Sequence, residues 1–226
     1  GTVVPVKVTA EGYPLPVTKE TYFGGLGEFL IPANKYNANV KGKDAKWLFL
    51  PNLGRTEGCM GISPVTAPSA TLATAPRLEY KIYIPAKGQI TAFLGILPVQ
   101  DINPGRGLRI AASIDDGQPQ IIDARQGLVD EFKEYTEASL SMSKVLKPLP
   151  TPNQHLALVG YKQPRRNDIF DNMRWLNVGF NTQKAGMHTL KIYMIDPEIV
   201  LEKIVINPDD NYPSYFGAPP VQQNSK

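Results

Sequence analysis

The sequence predicts an all-β protein, an antiparallel β-sandwich of the jelly-roll kind with long loops and at most one or two short helices. Three observations predict it. Period-two alternation of apolar and polar residues recurs along the chain, as in strands that bury one face. Turn signals rich in Gly, Pro and Asp separate these stretches at short intervals, without the alternating strand and helix of parallel-sheet proteins. The chain also carries 21 prolines among 226 residues, about twice the usual ~5%, and proline suits turns and sheet edges better than long helices.

Taken in order, Val4, Val6 and Val8 alternate with Pro5, Lys7 and Thr9 in a first strand. Leu78, Tyr80, Ile82 and Ile84 share one face of a second, and Ala86-Lys87-Gly88 leads into Ile90, Ala92, Leu94 and Ile96. This pair reads as a hairpin with one buried face. Leu108, Ile110, Ala112 and Ile114 form a further strand, after which Asp116-Gly117 supplies a tight-turn dipeptide and "PQIIDA" returns. Residues 128–146, "LVDEFKEYTEASLSMSKVL", have helical spacing and few β-branched residues, which predicts a short helix or an ordered loop. The segments "KPLPTPNQH" and "YKQPRRNDIFDN" that follow are turn-rich and polar, and read as a long insertion between core strands. Leu176, Val178 and Phe180, then Leu190, Ile192 and Met194, then "IVLEKIVIN" after Asp196-Pro197, read as three antiparallel strands in a row.

A chain of 226 residues is long enough to bury a sizeable core. We expect residues 1–27 to be an N-terminal extension with one strand, packed or flexible, and residues 28–226 to be a single β-sandwich domain. Twenty-four basic against 21 acidic residues give a formal charge of +3 with the basic residues scattered, which does not suggest nucleic acid as a partner. The single cysteine, Cys59, excludes a disulfide framework or a multi-cysteine metal site. No apolar run approaches the ~20 residues of a membrane span, so no membrane insertion is expected.

Most catalytic motifs are missing. The two histidines stand 33 positions apart, so there is no His-Glu-x-x-His metal site. "GCMGISP" does not fit a serine nucleophile elbow, and "GGLGEF" lacks the third glycine and the βαβ unit of a dinucleotide site. Carboxylates remain, because glycoside hydrolysis needs only two across a cleft. Asp115 and Asp116 read as turn acids and Asp196 as a turn-capping acid. His188 shares a face with Leu190, Ile192 and Met194 and reads as a satisfied, half-buried histidine. At ~3.3 Å per residue His188 and Asp196 lie about 26 Å apart along an extended strand, too far to act as a pair. Aromatic and planar polar side chains suited to sugars are present: Trp47, Trp175, Tyr36, Tyr161, Tyr212, Tyr215 and Phe216, with Arg55 able to hold a sugar carboxylate through two bonds. For the tryptophans core packing is the competing explanation. The candidate ligand-binding residues are Tyr36, Arg55, Asp115, Tyr161 and Tyr212, with no catalytic and no metal residues assigned.

The residues also carry a resemblance. "GMHTLKIYMIDPEIVLEKIVIN" followed by "YPSYFGAPP" resembles the closing segment of glycoside hydrolase family 115, the xylan α-glucuronidases. In that family a Gly-x-His-Thr-Leu-Lys strand leads to an Asp-Pro turn, a Val-Leu-x-Lys-Ile-Val strand and a Pro-Ser-Tyr-x-Gly-x-Pro end. "WLFLPNLGRTEGCMGISP", "APRLEYKIYIP" and "LRIAASIDDGQPQIID" are similar to the family in the same order. The resemblance covers roughly residues 29–220 and lies in the C-terminal domain of those enzymes, a galactose-binding-domain-like sandwich that follows the catalytic barrel. It implies a non-catalytic accessory domain of an α-glucuronidase-type hydrolase acting on hemicellulose, in structural, interdomain or dimer contacts. The alternative is a free-standing carbohydrate-binding protein recognising acidic plant polysaccharide. The implied partners are an upstream catalytic barrel domain or a partner hydrolase chain, and an oligosaccharide. The implied location is outside the cytoplasm, in a bacterial periplasm or on the cell surface, with the signal peptide not in this chain. Related sandwiches hold a structural calcium with acids of an opening Glu-Ala-Glu strand. Here "LIPANKYN" puts Pro32 and Asn34 at the acidic positions, which argues against calcium, a cation that prefers carboxylate oxygens. No other cofactor is expected.

Overall fold

A computed structural model describes residues 21–23, 28–99, 106–126 and 163–207. They form eleven strands and one helix: β1 (Phe29–Pro32), β2 (Ala38–Val40), β3 (Lys46–Pro51), β4 (Gly58–Ser63), β5 (Arg77–Ile84), β6 (Gly88–Ile96), β7 (Arg109–Ile114), β8 (Gln120–Asp123), α1 (Gln163–Phe170), β9 (Arg174–Thr182), β10 (Gly186–Met194) and β11 (Leu201–Asn207). A six-stranded sheet runs β3-β4-β11-β6-β9, with β1 also paired to β11, and a five-stranded sheet runs β2-β5-β10-β7-β8. All pairings between the named strands are antiparallel. The predicted all-β antiparallel sandwich is the fold observed.

The core lies between the two sheets. Leu78, Tyr80 and Ile82 of β5 and Leu190, Ile192 and Met194 of β10 face Ala92, Leu94 and Ile96 of β6 and Leu176 and Val178 of β9 in one buried cluster. Trp47 belongs to it, with its indole N–H donating to the Pro76 carbonyl at 3.2 Å.

Two expectations about pairing are corrected. The strands at 78–84 and 90–96 do not form a hairpin, because β5 lies in the five-stranded sheet and β6 in the six-stranded one. Nor do β9, β10 and β11 pair in a row: β9 pairs with β6, β10 with β5 and β7, and β11 chiefly with β6 and β1. Only β3–β4 and β7–β8 are consecutive strands that stay in one sheet. The physical reason is shared. A hairpin leaves both apolar faces side by side and still exposed, whereas a crossover lays one apolar face on the other, as a two-layer core requires.

The strand expected at Val4–Val8 and the helix expected at 128–146 lie outside the described residues. Within "YKQPRRNDIFDN", read from sequence as polar insertion, residues 163–170 form α1. Pro164 stands in the first turn, where a missing N–H leaves no helical bond unmade.

On β11 the register slips between Leu201 and Lys203 opposite Ile96 and Gly95. Such a bulge places two residues against one, and Glu202 and Lys203 are both fully buried. They pair at 2.9 Å. Glu202 also accepts the Arg55 N–H at 3.1 Å and the Thr56 hydroxyl at 3.2 Å, so the β3–β4 loop closes over it. Gly54 takes a left-handed φ of 84° there, and a Cβ at that position would run into the Glu202 carboxylate and the Cys59 sulfur. Burial, with the Glu202 charge adding to it against Lys203, pushes the Cys59 thiol up to about 12.

Candidate functional site

A cleft of about 570 Å3 opens where β7–β8 and β9–β10 turn. Its lining includes Ile114, Asp115, Gln118 and Gln120 from the first turn and Phe180, Asn181, Gln183, Lys184 and His188 from the second. β8 and β9 are the edge strands of their two sheets on this side, and Gln120 joins them by donating its amide N–H to the Gly179 carbonyl at 2.6 Å. The cleft therefore sits at an open edge of the sandwich, braced across it.

The turn itself differs from the Asp116-Gly117 apex expected. Asp115 carries the positive φ, 52°, and the Gly117 N–H closes the turn on the Ile114 carbonyl at 2.9 Å. A short polar side chain tolerates the left-handed region better than most. Asp115 is then tied to β10. Its N–H donates to the Thr189 carbonyl, its Oδ1 accepts the Thr189 N–H, both at 2.8 Å, and its Oδ2 lies 2.7 Å from His188 Nδ1. The other ring nitrogen, Nε2, lies 3.1 Å from the Lys184 carbonyl. A carbonyl only accepts, so Nε2 donates there. His188 is satisfied, as expected, and is buried rather than half-buried.

Partial burial pushes the Asp115 carboxyl up. The Thr189 N–H, the His188 hydrogen bond and the charges of His188 and Lys184 outweigh it, so the group stays below the usual carboxylate range. Its side chain remains 47% exposed. Around it Gln118, Asn181, Gln183 and Lys184 are exposed on the rim, while Phe180 and Ile114 form an apolar floor. Among the described residues Asp115 is the one carboxylate in the lining. Asp116 points away into solvent and meets Lys191 at 3.0 Å.

The other sequence candidates lie elsewhere. Tyr36 is in the β1–β2 loop and Arg55 in the β3–β4 loop, and Lys35–Glu57 at 3.8 Å shows that these two loops touch. Both loops belong to the β2 and β3 edges, opposite the edges that carry Asp115. Nε and Nη2 of Arg55 are buried, so a two-bond grip by that fork is not turned to solvent. Tyr161 and Tyr212 lie outside the described residues, as do Tyr215 and Phe216. Asp196 is fully buried and bound to Arg109 and Ser69. Among the described residues no three or more His, Cys, Asp or Glu side chains gather to hold a metal ion, and no helix is long and apolar enough to cross a membrane.

Of the cleft residues, sequence reasoning names Asp115 as a ligand-binding candidate and His188 as a satisfied histidine, and misses Gln118, Asn181, Gln183 and Lys184. The available signal is that "DDGQPQ" and "NTQKAG" are polar turns of similar make-up after strands. That both turns open at one edge follows only from the sheet order.

The family model described as "Glycosyl hydrolase family 115 C-terminal domain" matches residues 27–138 and 161–220. No curated protein matches the sequence. Among solved structures, a family GH115 4-O-methyl-α-glucuronidase with specificity for decorated arabinogalactans aligns with a TM-score of 0.49 at 12% identity, over 77% of this chain and 18% of that one. The chain thus spans less than a fifth of that enzyme. A family 35 carbohydrate binding module from Clostridium thermocellum aligns at 0.45 and 12% identity, over 79% of this chain and 97% of the module. The C-terminal CBM6 of LamC, a marine laminarinase from Zobellia galactanivorans, aligns at 0.44 and 14% identity, over 80% of this chain and 98% of that one.

Proposed function

The chain belongs to the glycosyl hydrolase family 115 C-terminal domain family, and from that premise we propose that it is a non-catalytic accessory domain of an α-glucuronidase-type hydrolase acting on hemicellulose such as xylan. The family match over most of the chain carries the reading. The chemistry of the cleft supports it. Hydrolysis of a glycosidic bond uses two carboxyl groups about 5 to 10 Å apart across the scissile bond, and among the described residues the cleft lining holds one, already engaged by Thr189 and His188.

In this reading the domain packs on an upstream catalytic barrel, in the same chain or in a partner hydrolase, and orients it. Leu48, Phe49 and Leu53, on β3 and the loop after it, are exposed apolar side chains, and packing on a partner domain would cover some of this surface. The same reading places the protein outside the cytoplasm, in a bacterial periplasm or at the cell surface, where plant polysaccharide is met. The test is an activity assay on the purified chain with glucuronoxylan. No glucuronic acid is expected to be released, and release proportional to the amount of this chain overturns the reading.

A further inference from the structure

Beyond the accessory role, we propose that the cleft at the β7–β8 and β9–β10 turns binds one neutral saccharide unit by its hydroxyl edge. The volume of about 570 Å3 falls within the ~300–1,000 Å3 of small-molecule sites. The lining then narrows the ligand by what each group can exchange with it.

Asp115 is the centre. Each carboxylate oxygen has two lone-pair directions, and each is engaged by one partner, Oδ1 by the Thr189 N–H and Oδ2 by His188. One direction per oxygen is left, on a side chain that is nearly half exposed. Two adjacent acceptors on one rigid group match two neighbouring hydroxyls of one sugar ring. The amides of Asn181, Gln118 and Gln183 each offer a donor and an acceptor, which is what a hydroxyl, itself both, requires. Ile114 and Phe180 give the floor apolar character for ring C–H groups. Phe180 as a whole is only 8% exposed, so recognition runs through the polar edge rather than through aromatic stacking.

The open lone pairs of Asp115 call for donors, which neutral hydroxyls supply and phosphate or sulfate oxygens do not. Lys184 on the rim and the buried His188 are the bases beside that carboxylate, and both already lie against its charge. The geometry is also preorganised. Asp115 is fixed by two backbone bonds to Thr189 and one contact with His188, and Gln120 braces the cleft by bonding Gly179. A site whose polar groups are already held loses less freedom on binding.

The test is a 1H–15N NMR titration of the full chain with glucose, galactose, xylose, arabinose and xylobiose, with glucuronate and inorganic phosphate alongside. At least one neutral sugar is expected to give saturable shifts confined to residues 114–120 and 179–188 at concentrations up to about 50 mM, which covers millimolar affinity. Asn181→Ala, which removes an exposed amide and leaves the backbone pairing of β9 in place, is expected to weaken binding about tenfold, or 1.4 kcal/mol, and Asp115→Asn to weaken it at least as much. Three results overturn the proposal: no saturable shift with any neutral sugar, tighter binding of glucuronate or phosphate than of every neutral sugar, or affinity unchanged in both variants. None of them bears on the accessory role, which stands or falls on the glucuronoxylan assay.

Discussion

Strand β10 has an acid at each end, and the two acids live differently. Beyond its last residue Asp196 is 0% exposed and accepts the Arg109 N–H at 2.8 Å, its guanidinium at 2.8 and 3.1 Å, and the Ser69 hydroxyl at 2.6 Å. Beside its first residues Asp115 accepts one bond per oxygen and keeps half its side chain in solvent. A carboxylate whose lone pairs are all filled by the chain's own donors is part of the fold, while one left with open directions toward a cleft is available to a ligand. Glu202, sealed on β11 with Lys203, Arg55 and Thr56 around it, belongs with Asp196. The closed positions should therefore answer to stability measurements and the open one to ligand.

The largest effect expected from this contrast is at Glu202. Glu202→Ala leaves the Lys203 ammonium, 1% exposed, without its counter-charge, and breaking a buried pair on one side costs about 3–5 kcal/mol. Urea unfolding should show the midpoint fall accordingly. Glu202→Gln combined with Lys203→Met keeps an acceptor for the Arg55 N–H and removes both charges, and should recover most of the loss. If the double variant is as unstable as the single one, the pair is not what holds this region.

Asp196→Ala comes next. Arg109 is more than a third exposed, so its guanidinium can be rehydrated, but its backbone N–H and the Ser69 hydroxyl lose their acceptor. A loss of about 2–3 kcal/mol is expected, read from thermal or urea unfolding. A loss within error of zero would mean that the closed end does not depend on its acid.

These two acids also mark what the sequence made legible. Alternation located the strands from residue 78 onward and put His188 on the core side of β10, because a period of two reports local burial. It could not assign strands to sheets. β5 and β6 show apolar faces that a hairpin and a crossover would use equally well, and only the two-layer packing decides between them. The bulge that buries Glu202 beside Lys203 was invisible for a similar reason, since a register slip is a property of the partner strand. Asp115 was legible as a turn acid. Its exposure beside Asn181 and Gln118 was not, because residues 66 positions apart in sequence, Asp115 and Asn181, meet only once β8 and β9 become edges on the same side.

The smallest effect expected is at the open acid itself, and pH separates it from the other two. The Thr189 N–H and the charges of His188 and Lys184 hold the Asp115 carboxyl below its usual range in the folded protein, against the upward push of its burial. Folding therefore favours the ionised form. The resulting stabilisation is fully present above the unfolded pKa of about 3.9 and is lost as pH falls below that through the lower folded value. Solvent screens a half-exposed group, so the whole contribution should stay under about 1 kcal/mol. Asp123 is lowered in the same direction, with Arg125 as its partner, but it is common to both proteins and cancels when wild type is compared with Asp115→Asn. The difference in unfolding free energy between the two should shrink as the pH falls from about 4 downward. A difference that stays constant through that range, or that grows as the pH falls, would show that the ionised Asp115 is not held by its neighbours, and the open end would then lack the fixed acceptor on which ligand recognition in the cleft depends.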